Sequence, residues 1–196
     1  MWRAMRSGWS AAAVVAVSAS ALGAGVALDR KPLNPESRLW VEGTATTKSY
    51  KCEAGVLDSE VATTAPEPAV LPLDQLVASA IVVIPVDGLD CGNGTMNGHM
   101  RKALKMAEHP TIEFHLDSYT VDGADAVLTG SLLIAGTENP VEIPATIGEE
   151  AEGIVRVKAT KQIRMTEWGV KPPSLLLGTM KVRDPVDIHF DVTLKR

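Results

Sequence analysis

Along most of the chain, apolar and polar residues alternate one for one, the period at which a β-strand turns one face to a core and the other to water. The C-terminus carries the longest run: Val186, Ile188, Phe190, Val192 and Leu194 alternate with Asp187, His189, Asp191, Thr193 and Lys195. Ile112, Phe114 and Leu116 alternate with Glu113, His115 and Asp117, and Val141, Ile143, Ala145 and Ile147 with Glu142, Pro144 and Thr146. Further strands are predicted around residues 39–47, 56–61, 80–86, 126–134, 153–163 and 178–183. Nine such segments suffice to close a β-barrel, which removes the exposed edges that an open sheet would leave.

One segment has a different period. Met96, Met100, Ala103, Leu104 and Ala107 are spaced by three and four, which predicts an amphipathic helix over residues 96–107 with Thr95 as its N-cap and Pro110 as its stop. A single short helix in an all-strand chain most economically plugs or flanks one end of a barrel, because its stripe needs an apolar surface to cover. Residues 62–72, with Pro66, Pro68 and Pro72, read as a loop before a short helical turn near Asp74 to Ala78.

The N-terminus belongs to no strand pattern. Arg3 and Arg6 precede 21 uncharged residues, Gly8 to Leu28, of which 14 are Ala, Gly or Ser. That is the form of a cleaved export signal rather than a Leu-rich anchor, with Gly25 and Ala27 as the small-x-small site before Leu28. The expected organisation is a signal peptide over 1–27, a tether over 28–36 containing Pro32 and Pro35, and a β-barrel domain over 37–196. Loss of two arginines leaves 17 cationic against 24 acidic residues, a formal charge of −7, with no stable membrane span after cleavage. In an oxidising compartment an even cysteine count favours a disulfide, here Cys52 with Cys91, against the alternative of two separate buried thiols. A shared metal is disfavoured because neither cysteine has a histidine or second cysteine two to four residues away.

Composition narrows the function classes. Hydrophobic residues are 45% and charged residues 22%, ordinary for a globular domain. An acidic chain without a basic run, whose eight aromatic residues include Trp2 and Trp9 of the leader, is a poor nucleic-acid binder. There is no nucleophile elbow, zinc-binding helix, P-loop or dinucleotide fingerprint, so neither an enzymatic activity nor a cofactor is indicated. His115 and His189 lie on polar strand faces and would meet only if their strands pair; His99 sits near the helix stripe as a packing residue. What remains is the interior. A barrel of about eight strands is either filled by its own side chains or holds one small or elongated ligand.

Three motifs then resemble one family. GTMNGHMRKALKMAEHPTIEFHL, from Gly94 to Leu116, is similar to the helix and "Pro-x-Ile-x-Phe" strand of the YceI-like lipid and polyisoprenoid-binding proteins. GSLLIAGTENPVEIP, from Gly130 to Pro144, resembles their "G-x-L-x-I-x-G-x-x-x-P-V" hairpin, RMTEWG from Arg164 to Gly169 their acidic-aromatic turn, and the final strand fits as well. The resemblance spans Ser37 to Leu194; the first strand lacks the family's His-Ser opening, and Cys52 with Cys91 looks like a subgroup feature. It implies an extended antiparallel eight-stranded barrel, lipocalin-like, in a periplasmic or secreted protein, with a tunnel for a long-chain isoprenoid or fatty acyl lipid and no catalytic residues.

For such a tunnel the predicted lining is Phe114, Leu116, Leu133, Ile143, Val157, Ile188 and Phe190, with Met100 and Leu104 at one end. Trp168 and Lys171 to Gly178 are expected to form a mobile lip, because Pro172 and Pro173 interrupt any strand. The competing readings are a non-catalytic secreted stress or interaction protein with a filled barrel, and an enzyme relying on His115 or His189. A homodimer is left open.

Overall fold

The structure, a computed structural model, describes residues 29–31, 33–55, 57–63, 73–151, 153–175 and 180–195. The expected signal peptide lies outside the described residues, as does most of the proline-rich loop. Twelve strands form: β1 (Asp29–Lys31), β2 (Arg38–Ala45), β3 (Ser49–Ala54), β4 (Asp58–Thr63), β5 (Val77–Pro85), β6 (Leu89–Asp90), β7 (Thr111–Asp122), β8 (Asp125–Ile134), β9 (Thr137–Ala151), β10 (Ile154–Arg164), β11 (Ser174–Leu175) and β12 (Met180–Lys195). Among the described residues one α-helix, α1 (Gly94–Ala103), interrupts them. Every strand pair is antiparallel.

The hydrogen-bonded order is β1-β4-β5-β7-β8-β9-β10-β12-β2-β3-β6, with β11 paired to β12. The two ends of this path are halves of the same two bent strands. Glu53 and Ala54 of β3 pair with Asp90 and Leu89 of β6, the Gly55 amide donates to the Gly88 carbonyl at 3.0 Å, and Asp58 of β4 then pairs with Val83 of β5. The chain from β3 to β4 thus runs alongside the chain from β5 to β6 through one shared corner. Joining those halves gives eight long strands and an all-β, lipocalin-like curled sheet. The expected eight strands are therefore cut into more, shorter segments, because the corner at residues 86–88 takes a 3-10 turn.

Most predicted strands appear, with informative differences. The two C-terminal segments are one 16-residue strand, β12, whose register shifts between Val182 and Val186. Pro185 sits in that irregularity on the β2 side, and on the other side it pairs with Arg164 of β10. β3 has no prediction because Ser, Lys, Cys and Glu are poor strand formers, yet Tyr50 and Cys52 still alternate with exposed Lys51 and Glu53. Part of the expected tether is structured: β1 pairs with β4, the Leu33 amide donates to Ser59 Oγ at 3.0 Å, and the Asn34 amide donates to the Thr193 carbonyl at 3.1 Å. On the outer face Arg156 of β10 makes two bonds to the Asp191 carboxylate of β12, at 2.5 and 2.8 Å.

The main core cluster lies on the concave face and includes Phe114, Ile143, Val155, Ile163, Trp168 and Ile188. Gly130 of β8 sits opposite Leu116, beside a register shift in β7. A Cβ at Gly130 would lie 2.1 Å from the His115 carbonyl oxygen and 3.1 Å from the Phe114 ring. Glycine here lets β7 approach and sets the Phe114 ring across the interior. Gly130→Ala is expected to destabilise the protein by about 1–3 kcal/mol, as overpacking does. Gly148→Ala, at a site with nothing within 4 Å, should change stability by no more than about 0.5 kcal/mol. Urea unfolding of the two variants checks the contrast.

A two-chambered apolar interior as candidate functional site

Inward residues follow the strand parity, and they enclose two cavities. The chamber under α1 has a volume of about 180 Å³, and the second, toward the opposite end, about 110 Å³. Down β12 the lining passes from Val186 and Ile188 to Val192 and Leu194, and down β10 from Ile163 to Val157. Leu39, Phe114 and Phe190 line both chambers and form a waist between them. Leu39 and Phe190 are direct cross-strand partners, and Phe114 and Phe190 are the chain's only two phenylalanines. One water needs roughly 10–15 Å³ of such space, but water also needs two or more polar partners, and these walls offer almost none.

Eight of the nine residues predicted as lining border these chambers, as does Trp168 of the expected lip. Phe114, Ile188, Phe190, Met100, Leu104 and Trp168 border the helix-end chamber, while Leu116, Ile143 and Val157 join Phe114 and Phe190 around the other. Leu133 borders neither. Its strand partners are Glu113 and Glu138, so it shares their outer face, whereas Leu132, 4% exposed, points inward. The consecutive leucines hid the phase of the alternation. Trp168 is also corrected: it is 3% exposed and its Nε1 donates to the Leu132 carbonyl at 2.8 Å, which makes it fixed wall rather than lip. Of the expected lip, Pro173 borders the chamber; Leu176, Leu177 and Gly178 lie outside the described residues.

The helix is shorter than its apolar spacing suggests. Asn93, not Thr95, is the N-cap, its Oδ1 accepting from the Thr95 and Met96 amides at 3.0 and 3.1 Å. At the other end Lys105 takes a left-handed φ of 53°. The Met106 amide returns to Arg101 O and the Lys105 amide to Lys102 O, a Schellman closure that usually carries glycine. No residue of α1 is fully buried, yet Met96, His99, Met100, Ala103 and Leu104 all border the chamber, so the helix is a shallow lid.

The lid is fastened chiefly at its N-terminal end. Cys52 of β3 and Cys91, two residues before the N-cap, form a disulfide whose two cysteines border the chamber. Closing a loop of 39 residues contributes roughly 4 kcal/mol in the chain-entropy view. Asp90 Oδ1 accepts from Asn97 Nδ2 at 2.8 Å and from the Gly92 amide at 2.9 Å, while Asn97 Oδ1 accepts from the Cys91 amide at 2.8 Å. The Asn97 bond, then the Gly92 amide, hold the Asp90 carboxyl below its usual value. Farther on, Arg101 Nη2 donates to the Asp87 carbonyl at 2.9 Å, and the His109 ring covers Gly136 in the β8–β9 turn.

Polar groups on the chamber walls are few and mostly engaged. Tyr119 Oη donates to the Leu73 carbonyl at 2.9 Å and accepts from the Val77 amide at 3.0 Å. Tyr50 lies over Gly43, and burial pushes its phenol above the usual tyrosine range, so it stays neutral. Tyr50 and His99 escaped the sequence reading as lining residues; inward parity in β3 and the helix stripe were the available signals. Among the described residues no lysine, arginine or carboxylate lines either chamber. His115 and His189 do not meet: β7 pairs with β5 and β8, whereas β12 pairs with β10, β2 and β11. His115 bonds Glu113 at 3.2 Å, and His189 stacks on Trp40 with ring centroids 4.9 Å apart. Among the described residues no three His, Cys, Asp or Glu side chains gather as a metal site.

Residues 40–194 match the YceI-like domain. The chain belongs to the YceI-like family. This YceI-like chain superposes on Burkholderia cenocepacia BcnA with a TM-score of 0.68 at 18% identity, over 83% of this chain and 99% of that one. A polyisoprenoid binding domain from Saccharophagus degradans, implicated in plant cell wall breakdown, gives 0.63 at 14% identity, over 86% and 98%. The Campylobacter jejuni YceI protein gives 0.60 at 16%, over 74% and 84%. At these identities the likeness is one of fold. No curated protein matches the YceI-like chain in sequence.

The lid fastening has a definite pH dependence. Because the folded-state pKa of Asp90 is lowered, its bonds contribute stability above the unfolded value, near 3.9, and that contribution is lost as pH falls through the lowered folded value. Thermal unfolding should show Asp90→Asn with a lower Tm than wild type at pH 7 and the gap closing as the pH drops below about 4.

Proposed function

We propose that this protein is a binding module that encloses the hydrocarbon tail of a long-chain lipid, polyisoprenoid or fatty acyl, and sequesters or carries it through an aqueous compartment. The observation that carries this reading is the pair of carbon-lined chambers in series along the barrel, with no lysine, arginine or carboxylate of the described residues on their walls. A charged head buried there would lack a counter-charge, so the enclosed part of the ligand is hydrocarbon. The chambers also weigh against a filled barrel.

Magnitudes favour a long tail. Each buried CH₂ contributes about 0.8 kcal/mol, so a five-carbon isoprene unit contributes roughly 4 kcal/mol. Association costs about 4–15 kcal/mol in lost freedom, so two units barely bind and four or five reach micromolar affinity or better. The polyisoprenoid binding described for the Saccharophagus domain is in keeping with such a ligand. Export belongs to the same proposal: residues 1–27 are a signal peptide, and the Cys52–Cys91 disulfide suits the periplasm or the cell exterior. Among the described residues no helix is long and apolar enough to cross a membrane.

Titration of delipidated protein with prenols of increasing length tests the reading. Affinity should rise at least about tenfold per isoprene unit up to four or five units. Phe114→Trp, which narrows the waist, should weaken the long prenols and spare those short enough for one chamber. An affinity independent of length sinks the proposal.

A further inference from the structure

The lid carries side chains that the enclosure of hydrocarbon does not call for. Met96, His99 and Met100 share one face of α1, the spacing of three and four setting the Met96 Cβ about 5–6 Å from each of the other two. All three border the larger chamber, as do Ala103 and Leu104 one turn farther on. In a stripe otherwise made of carbon and sulfur, the half-buried imidazole of His99 is the exception, and it makes no hydrogen bond or ion pair with the described residues. A third thioether, half-buried Met165 from the 3-10 turn Met165–Trp168, borders the same chamber.

Two thioethers and an imidazole form a neutral, soft donor set, and thioether sulfur lies outside the His, Cys, Asp and Glu combinations already excluded. Calcium and magnesium require oxygen ligands, and buried zinc is held by thiolates, imidazoles or carboxylates. Among the described residues no carboxylate lines the chamber, and the two cysteines that border it are joined to each other. Cu(I) is the ion that thioether and imidazole suit together, and its single charge asks least of walls without counter-ions. Methionine, unbranched and with three rotatable bonds, can bring its sulfur onto one ion while the helix stays in place. No residue of the lid is fully buried, so an ion has access to this face from solvent.

We propose that the chamber face of α1 binds one Cu(I) ion through the sulfurs of Met96 and Met100 and the imidazole of His99. The site is independent of the tunnel reading, since the three donors stand there whether or not the bore holds a tail. The dry wall behind them keeps water from competing for the ion, as an apolar shell does around other metal sites. Removing an outer partner of a metal ligand already costs about 10–100-fold in affinity, so the loss of two ligands costs at least about a hundredfold.

The test is competition for Cu(I), kept reduced by ascorbate under argon, between bicinchoninate and the protein purified after expression of the full chain. The coloured chelator complex reports the copper that the protein has not taken. Wild type should withdraw one ion per chain and keep it in the presence of excess Zn(II). Met96→Leu/Met100→Leu preserves apolar bulk yet should weaken Cu(I) binding at least about a hundredfold, and His99→Gln at least about tenfold. Met106→Leu, at a methionine that borders neither chamber, should leave it unchanged. Circular dichroism checks that the variants fold, and methionine-methyl NMR of the wild type needs no variant: Cu(I) should shift the Met96 and Met100 methyls and spare that of Met106. Failure of the wild type to compete, displacement by Zn(II), equal uptake by wild type and both lid variants, or unmoved Met96 and Met100 methyls overturns the proposal. Prenol binding that fails while copper is taken up overturns the tunnel reading and leaves the copper site standing.

Discussion

The structure depends on a mismatch between the girth of an eight-stranded barrel and the reach of the side chains inside it. Strand number and tilt set the diameter, which side chains can just fill when enough of them are large. Here the inward positions are mostly Ala, Val, Ile and Leu, and the chain's two phenylalanines are spent at one level. Phe114 and Phe190, with Leu39, make the waist; on either side of it the walls do not meet, and the two chambers follow.

Holding such a barrel together requires attachments outside its axis. The bent strands share a corner at residues 86–88, the disulfide ties β3 to the chain entering α1, and residues 33 and 34 bond to both β4 and β12. These constraints sit at the rims, where they leave the bore clear. The lid differs in kind: it is anchored at Cys91 and Asn97, carries a left-handed Lys105 at its far end, and covers the larger chamber without deep burial.

Period-two patterning made the strands of the long antiparallel run legible, because each has one dry and one wet face and any slip of one residue would expose the dry one. It also put six of the seven strand residues predicted as lining on the inward face. It failed at Leu132 and Leu133, where two adjacent leucines carry no phase, and at β3, where parity was present but strand propensity was low. The helix end was misplaced because Lys105 occupies a position where glycine would have announced the stop. Trp168 looked like surface next to two prolines, yet its indole N–H found a carbonyl of a strand 36 residues away, a pairing that only the closed barrel creates. The two chambers belong to the same class: they arise from which strands become neighbours, and local pattern carries no record of that.

The central claim is that the bore shelters a linear hydrocarbon. Mass spectrometry of an organic extract of the protein purified from its own host tests this most directly. The account predicts one long-chain apolar compound in near-stoichiometric amount. An extract free of any such compound, from protein that also takes up none when offered lipid, would contradict it.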